Sequence, residues 1–336
     1  MSLEEFRVAV IVPCYNEELT IATVVADLRR AVPHAEIYVY DNNSSDQTSR
    51  VAAEAGAIVR FESRKGKGNV VRRAFADIEA DVYLMIDGDD TYDAAAAPTL
   101  IETLVSGPLD HVVGVRVDTN TEDGSYRPGH AMGNAAFNRV TTLMFGEQVS
   151  DMLSGYRAFS RRYVKSFPAN SQEFEIETEL TIHAANLRVP QAEVPVGFKD
   201  RPEGSESKLR TFRDGFKILG LLGHLLLHER PLLVCGYAGL VSALVGLVLG
   251  IPVVADYLDT GLVERFPTAF LAAFLVVLGA LLVGIGMIMN GVLRGTRETR
   301  RLFYLQLPAN VRVGPAAPAA PAAPAPAERP AVTTHG

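Results

Sequence analysis

Two uncharged stretches near the end of the chain limit its fold more than any other feature. Pro231–Ala255 and Phe266–Leu293 contain no Asp, Glu, Lys or Arg. Each exceeds the roughly 20 apolar residues that cross about 30 Å of hydrocarbon. One such run could be a buried core helix. Two in tandem, both rich in Gly, Ala, Leu and Val, predict a two-helix transmembrane hairpin over 231–255 and 266–293. Lys208, Arg210, Arg213, Lys217 and Arg230 precede the first run, and Arg294, Arg297, Arg300 and Arg301 follow the second. The loop between them carries Asp256, Asp259, Glu264 and only Arg265. Positive charge stays on the cytoplasmic side, so a multi-pass inner-membrane protein is expected, with its body and both termini in the cytoplasm. Residues 1–7 are polar and Val8–Val12 is too short for a signal core, so no leader is expected.

The chain upstream of the hairpin alternates β-rich runs with helical ones, the pattern of an α/β domain with a mostly parallel sheet. Strands are predicted at Phe6–Pro13, Glu36–Tyr40, Ala57–Phe61, Val82–Ile86, His111–Val117, Tyr156–Ser160 and Gln191–Phe198. Helices are predicted at Leu19–Ala31, Ser45–Ala55, Lys67–Ile78, Ala95–Val105, Met132–Phe145 and Phe174–Leu187. The catalytic domain is placed at 1–208. Residues 209–230 mix Phe212, Phe216, Ile218, Leu219, Leu222 and Leu225 with basic residues. That pattern suits a juxtamembrane amphipathic helix or an ordinary core helix, and adjacency to the first span favours the membrane surface. The Ala/Pro repeat of 314–336 cannot build a core and reads as a disordered tail.

The formal net charge of −7 argues against a nucleic-acid surface. The two cysteines, Cys14 and Cys235, are too few for a disulfide framework and read as reduced thiols.

Ligands of open α/β sheets bind beyond the carboxyl ends of the strands, and polar residues collect at three of those ends. They are Pro13-Cys14-Tyr15-Asn16-Glu17-Glu18, Asp41-Asn42-Asn43-Ser44-Ser45-Asp46 and Asp87-Gly88-Asp89-Asp90. Carboxylates two apart around a glycine suit Mg²⁺ or Mn²⁺ bridging phosphate oxygens. Taken alone, the last tetrapeptide reads more readily as a solvated acidic turn, since Asp/Gly turns are frequent. Lys65-Gly66-Lys67-Gly68 is either a phosphate-cradling loop or a basic helix-starting turn, and it lacks the P-loop pattern.

In combination, Pro13-x-Tyr15-Asn16-Glu17, Asp41 with Ser44-x-Asp46-x-Thr48, Gly66-Lys67-Gly68 and Asp87-x-Asp89 resemble the donor half of inverting family 2 glycosyltransferases of GT-A fold. Three further stretches resemble the branch containing dolichol-phosphate mannose synthase and bacterial polyprenyl-phosphate glycosyltransferases. They are Gly114-Val115-Arg116, Asp151-x-x-Ser154-Gly155-Tyr156-Arg157 and Arg201-x-x-Gly204-Ser205-x-Ser207-Lys208.

The resemblance implies transfer of a sugar from a nucleotide-sugar to undecaprenyl or dolichyl phosphate. It assigns Pro13, Tyr15, Glu17, Asp41, Lys67, Asp87, Gly88, Asp89, Asp90, Arg201 and Lys208 to the donor. The metal, Mg²⁺ or Mn²⁺, falls to Asp87 and Asp89. The acceptor phosphate falls to Arg116, Arg127, Ser205 and Lys208, and catalysis to Asp89, Asp151, Arg116 and Arg201. His130-x-x-Gly133-Asn134 departs from the mannose synthase pattern, which favours a UDP-sugar over GDP-mannose.

A phosphate acceptor with a second pKa of about 6 arrives as an anion, so no general base is required. Asp151, Glu177 and Glu179 are the candidates if the acceptor is a hydroxyl instead. Two spans are too few for a polymer channel, and the chain has no Trp for a Gln-x-x-Arg-Trp motif, which weakens a processive synthase. The retained carboxylates weaken a non-catalytic sugar-binding subunit. The pattern is compatible with a homo-oligomer.

Overall fold

A computed structural model describes residues 5–107, 109–118, 150–169, 176–199, 227 and 229–309. The expected helix over Met132–Phe145, most of the 209–230 segment and the 314–336 tail lie outside the described residues.

Seven strands form one sheet in the order β3-β2-β1-β4-β6-β5-β7. They are β1 Val8–Cys14, β2 Glu36–Asp41, β3 Ile58–Phe61, β4 Val82–Met85, β5 His111–Asp118, β6 Arg157–Ser160 and β7 Gln191–Phe198. Only β6 is antiparallel to its neighbours β4 and β5; the other pairings are parallel. The helices of the body are α1 Ile21–Ala31, α2 Thr48–Glu54, α3 Lys67–Asp77, α4 Ala97–Ser106, α5 Arg161–Ser166 and α6 Ile176–Leu187.

The alternation of side chains along a strand sends Val8, Val10 and Val12 of β1 to one face, where Val24, Val25 and Leu28 of α1 and Leu100 and Ile101 of α4 cover them. Ala9 and Ile11 go to the other face, against Val70, Val71 and Ala74 of α3 and Leu180 of α6. A strand covered on both sides must read as a continuous apolar run, which is why β1 and β4 stood out in the sequence.

Two differences from expectation have local causes. The α2 helix begins at Thr48 rather than Ser45, because Asp46 accepts a hydrogen bond from the Thr48 amide at 3.0 Å, while the Ser45 amide is held by Asn16 Oδ1 at 2.8 Å. The unexpected α5 starts where Ser160 Oγ accepts from the Tyr163 amide at 3.2 Å, an N-cap.

The two apolar runs lie inside longer helices, α7 Pro231–Thr260 and α8 Phe266–Gln306. Both are long and apolar enough to cross a membrane, and they point to membrane association. Their seam is built from residues seven apart: Gly239 and Gly246 on α7, and Ala272, Gly279 and Gly286 on α8. A Cβ on Gly239 would lie 2.6 Å from the Gly279 carbonyl oxygen, so the helices touch backbone to backbone there. Leu240, Leu244, Leu247, Phe270, Phe274, Leu281 and Ile288 project outward and exposed.

At about 1.5 Å per residue, α8 is roughly twice as long as hydrocarbon is thick. It runs past Leu293, where the uncharged stretch ends, and docks on the body. Tyr304 is buried, its hydroxyl donating to Asp110 Oδ2 at 2.6 Å and its ring lying 4.7 Å from the Arg162 guanidinium. Arg297 pairs with Glu229, which also accepts from Asn186 at 3.3 Å.

Candidate active site

Strands β2, β1 and β4 are parallel neighbours, so their carboxyl ends emerge on one edge. The chain runs from β1 outward to β2 and β3, then crosses back to place β4 on the other side of β1. The crevice between β1 and β4 is therefore a topological switch point, where open α/β sheets bind ligands.

One wall is a laced pair of loops after β1 and β2. Asn16 takes φ +55°, and its amide donates to Ser44 Oγ at 3.0 Å. The Glu17 amide donates to Thr48 Oγ1 at 2.8 Å, and the Gln47 amide to Glu18 Oε2 at 2.8 Å. Asp41 is buried with both oxygens engaged, Oδ1 by the Ser44 amide at 2.8 Å and Oδ2 by the Ser49 hydroxyl. Asn42 extends the lacing to the loop before α3, donating to Arg64 O at 2.7 Å and accepting from the Gly66 amide at 2.6 Å. Gly66 has φ +117°, a conformation that side chains disfavour, and it turns Lys67 into the crevice.

The Asp87-Gly88-Asp89-Asp90 turn forms the floor. A Cβ on Gly88 would sit 2.5 Å from Cys14 Sγ, so the close approach of β4's end to β1 requires glycine. Asp87 Oδ1 is paired with Lys67 Nζ, which also meets Glu177 Oε1 at 2.5 Å. Asp89 is buried and accepts from the Thr91 hydroxyl at 2.7 Å. Asp90, at φ +58°, pairs with Lys199 at 2.8 Å.

The opposite wall comes from the ends of β5 and the loop before β6. Arg116 holds Asp151 with two parallel bonds, Nε to Oδ2 at 2.7 Å and Nη2 to Oδ1 at 2.8 Å. Arg157 is fully buried and donates to the carbonyls of Ser154 at 2.7 Å and Met152 at 2.6 Å. It holds the Asp151–Tyr156 loop in shape rather than facing the crevice. A Cβ on Gly155 would lie 2.4 Å from Asp87 Oδ2, so this loop packs directly on the carboxylate.

Electrostatics at the centre are negative. The buried Cys14 thiol is pushed well above its usual range, first by burial and then by the charges of Glu17, Asp41, Asp87 and Asp89. Burial opposes the charge on Lys67, but Asp87 and Glu177 outweigh it and raise its pKa. Burial opposes the charge on Arg116 as well, and the hydrogen bonds it donates to Asp151 overcome that and raise its pKa. Burial pushes the Tyr92 phenol, whose oxygen accepts from the Gly155 amide at 2.9 Å, up to about 12.

Asp87 and Asp89 offer hard carboxylate oxygens to a divalent cation. Among the described residues no group of three or more His, Cys, Asp or Glu is arranged to hold a metal alone. That donor set would suit Mg²⁺ or Mn²⁺, with phosphate and water oxygens needed to complete its coordination.

The structure thus brings Pro13, Tyr15, Glu17, Asp41, Lys67, Asp87, Gly88, Asp89 and Asp90 to one edge, with Arg116 and Asp151 at the end of β5. Arg127, Arg201, Ser205 and Lys208 lie outside the described residues. In the sequence Glu177 stands only as a candidate general base, and Lys199 and Gly155 do not stand out as neighbours of the acidic turn. Glu177 had an available signal: a helix leading into a parallel strand starts at the edge where such strands end, so the first turn of α6 had to face the crevice.

A profile for "Glycosyl transferase family 2" matches residues 9–167. Glycosyltransferase AglJ of Haloferax volcanii is 35% identical over 287 residues, covering 85% of this chain and 92% of that protein. A dolichyl-phosphate hexose transferase of the same organism is 30% identical over 222 residues, 66% of this chain and 95% of that one. Among solved structures, glucosyl-3-phosphoglycerate synthase of Mycobacterium tuberculosis with Mn²⁺, uridine-diphosphate-glucose and phosphoglyceric acid aligns with a TM-score of 0.53. That alignment covers 67% of this chain and 79% of the other at 21% identity, a likeness of fold.

Proposed function

Because this chain belongs to glycosyl transferase family 2 and is a glycosyltransferase, we propose that it moves a sugar from a nucleotide-sugar to a polyprenyl phosphate at the cytoplasmic face of the membrane. The carrying observation is the physical union of an acidic crevice with an apolar hairpin. The charges of four carboxylates at the sheet's switch point bear on the buried Cys14 thiol, and the helix that leaves the apolar pair is bonded to the same body through Tyr304 and Asp110. An enzyme of this build takes a polar, cation-bridged donor in its crevice and a lipid-borne acceptor beside it. Relatives named dolichyl-phosphate hexose transferase and dolichol-phosphate mannosyltransferase support the acceptor class. The favoured donor is a UDP-sugar, on the departure around His130.

In this reading Pro13, Tyr15, Glu17 and Asp41 receive the nucleoside. Asp41 is held rigid by Ser44 and Ser49. Asp87 and Asp89, with Gly88 and Asp90 shaping their turn, would hold Mg²⁺ or Mn²⁺ against the diphosphate. When bound, such a cation neutralises the charge that builds on a departing nucleoside diphosphate. Arg116 spends Nε and Nη2 on Asp151, and Nη1, which bonds to none of the described residues, is the nitrogen through which it would meet a phosphate. Asp151 then acts by orienting Arg116. Arg127, Ser205 and Lys208 join Arg116 at the acceptor phosphate, and Arg201 and Lys208 countercharge the donor. The acceptor's phosphate oxygen attacks the anomeric carbon opposite the leaving diphosphate, inverting that centre. Catalysis reduces to alignment and charge stabilisation, with no side chain removing a proton. The basic flanks of the hairpin support an inner-membrane site with both chain ends in the cytoplasm.

The test is product analysis. Membranes containing the protein, given radiolabelled UDP-hexoses, GDP-mannose and undecaprenyl or dolichyl phosphate, should yield a lipid-extractable product of one hexose on a polyprenyl monophosphate. Label appearing only in polymer, or on a hydroxyl-linked glycan, refutes the acceptor assignment.

A further inference from the structure

Lys67 stands at the start of α3, Glu177 in the first turn of α6 and Asp87 at the end of β4. These elements meet at one ammonium. Lys67 Nζ is paired with Asp87 Oδ1 and lies 2.5 Å from Glu177 Oε1; the Lys67 and Glu177 side chains are 10% and 6% exposed. The backbone at Gly155 closes another side, since a Cβ there would stand 3.0 Å from Nζ and 2.4 Å from Asp87 Oδ2. Asp87 is therefore held at Oδ1 by the ammonium, while the Gly155 main chain packs beside Oδ2 and the carboxylate stays partly open to the crevice.

A lysine that served donor phosphates as a mobile point charge would need its Nζ turned toward ligand and free to exchange partners. Here the ammonium is shared between two carboxylates, and releasing either would strand a charge in a largely dry pocket. Glu177 has the same constraint, because Lys67 is the cation it meets in the structure.

We propose that Glu177 and Lys67 are positioning residues for the metal–diphosphate site, Glu177 holding Lys67 and Lys67 holding Asp87. Asp87 and Asp89 are like charges two residues apart in one turn, and Lys67 is the countercharge that the described residues place on Asp87. With it, Asp87 keeps one orientation before any cation arrives. The carboxylates that hold a ligand's partners in place act on it as strongly as many direct contacts do. The inference rests on the reading of this crevice as a cation and nucleotide site.

The full chain in detergent separates the possibilities. Mn²⁺ binding is followed by the electron paramagnetic resonance of free Mn²⁺ in the presence of UDP or GDP, and metal-free UDP binding by calorimetry in EDTA. Glu177→Gln preserves size and packing. It should raise the Mn²⁺ half-saturation concentration roughly 10–100-fold with an unchanged melting temperature, and leave metal-free UDP affinity within about threefold. Lys67→Met should raise the half-saturation likewise but also lower the melting temperature, because it leaves Glu177 buried without its cation. Adding Glu177→Gln should recover that melting temperature and leave Mn²⁺ binding no worse than in the single changes, since both act through one chain of contacts.

If Lys67 instead contacts the donor phosphates, the signs differ. Glu177→Gln would free the ammonium and strengthen metal-free UDP binding, with Mn²⁺ half-saturation unmoved; that result overturns the proposal. Should Lys67→Met fail to fold, Glu177→Gln alone decides through those two readouts. A wild-type protein that binds neither Mn²⁺ nor nucleotide removes the underlying site itself. That outcome differs from a wild type that binds both while Glu177→Gln binds Mn²⁺ equally well.

Discussion

The two ends of the central sheet both bury carboxylates, and they treat them in opposite ways. At the end where β5 starts and β6 finishes, Asp110 is 1% exposed. It accepts from Ser160 Oγ at 2.6 Å, from Arg162 Nε and Nη2 at 2.5 Å each and from the Tyr304 hydroxyl at 2.6 Å. Its charge is matched and its lone pairs are filled by the fold itself. At the other end, the charges of Glu17, Asp41, Asp87 and Asp89 all bear on the buried Cys14 thiol. The ammonium among them is already shared with Glu177, and Asp89 is held by the neutral Thr91 hydroxyl. A buried carboxylate supplied with its own donors and cation is structure. Carboxylates gathered where parallel strands end, at the edge where such sheets take ligands, are arranged for something brought from outside.

The sharpest way to break that contrast is Asp89→Ala. If the crevice is built for an external cation, removing Asp89 should cost transfer several thousandfold, about 5 kcal/mol of transition-state stabilisation. The melting temperature should scarcely move. EDTA should abolish wild-type activity, and Mg²⁺ or Mn²⁺ should restore it. A variant keeping more than a tenth of wild-type transfer, or a wild type indifferent to EDTA, would make the acidic end as self-contained as the other.

The self-contained end has its own signature in pH. His111 is fully buried beside Arg157 and Gln191, and its pKa is lowered well below the usual value, first by burial and then by Arg157. His183 is lowered to about 3 by burial, with Arg300 on the docked part of α8 adding to it. Both are neutral when folded, whereas the unfolded chain protonates them near pH 6.5. The unfolded state thus binds more protons below that pH. Stability present above about 6.5 is lost as pH falls toward 3, at up to about 2.7 kcal/mol per unit for the two together. Thermal scans of the detergent-solubilised protein from pH 7.5 to 4.5 should show this loss, and His183→Gln should flatten it. A melting temperature level between pH 7 and 5 would contradict the burial of both rings.

This contrast was only half visible in the sequence. The acidic end was legible because each carboxyl-terminal strand end is local: the apolar run of β1, β2 or β4 stops and a polar cluster follows within a few residues. The spans were legible because hydrocarbon demands a continuous composition. The opposite end was hidden, since its contacts join residues far apart. Tyr304 meets Asp110 across 194 positions, and nothing near either residue announces the other. The uncharged run ended at Leu293, but the helix does not end where the apolar composition does; α8 continues to Gln306 because Arg294–Gln306 has a surface to dock on. Arg157 shows the same limit. Its motif was recognisable, but a charged side chain reads as solvated until the carbonyls of Met152 and Ser154 are seen to enclose it. Arg116 and Asp151 were each expected near ligand, and their bond to one another was not.

The smallest change tests the self-contained end most finely. Tyr304→Phe removes one hydroxyl and keeps the ring that lies under Arg162. Asp110 would retain Ser160 and both Arg162 contacts, so its charge stays matched and only one of several donors is lost. A hydrogen bond to a charged group contributes about 1.5–3 kcal/mol. The lower end applies here, because Arg162 still serves the same oxygen, Oδ2. For a body of this size that amounts to a fall of roughly 3–6 °C in melting temperature. Transfer per folded molecule should stay within about twofold, because Asp110 sits at the end of the sheet remote from the acidic turn. Arg162→Met in the same background would strip Asp110 of its cation, and the loss should then far exceed the sum of hydroxyl and ring contacts, the mark of a buried charge left unpaired. Suppose instead that Tyr304→Phe cut transfer tenfold at an unchanged melting temperature. The docked helix would then be setting the height or tilt of the crevice over the membrane, and the two ends of the sheet would be parts of one catalytic apparatus rather than a site and its mount.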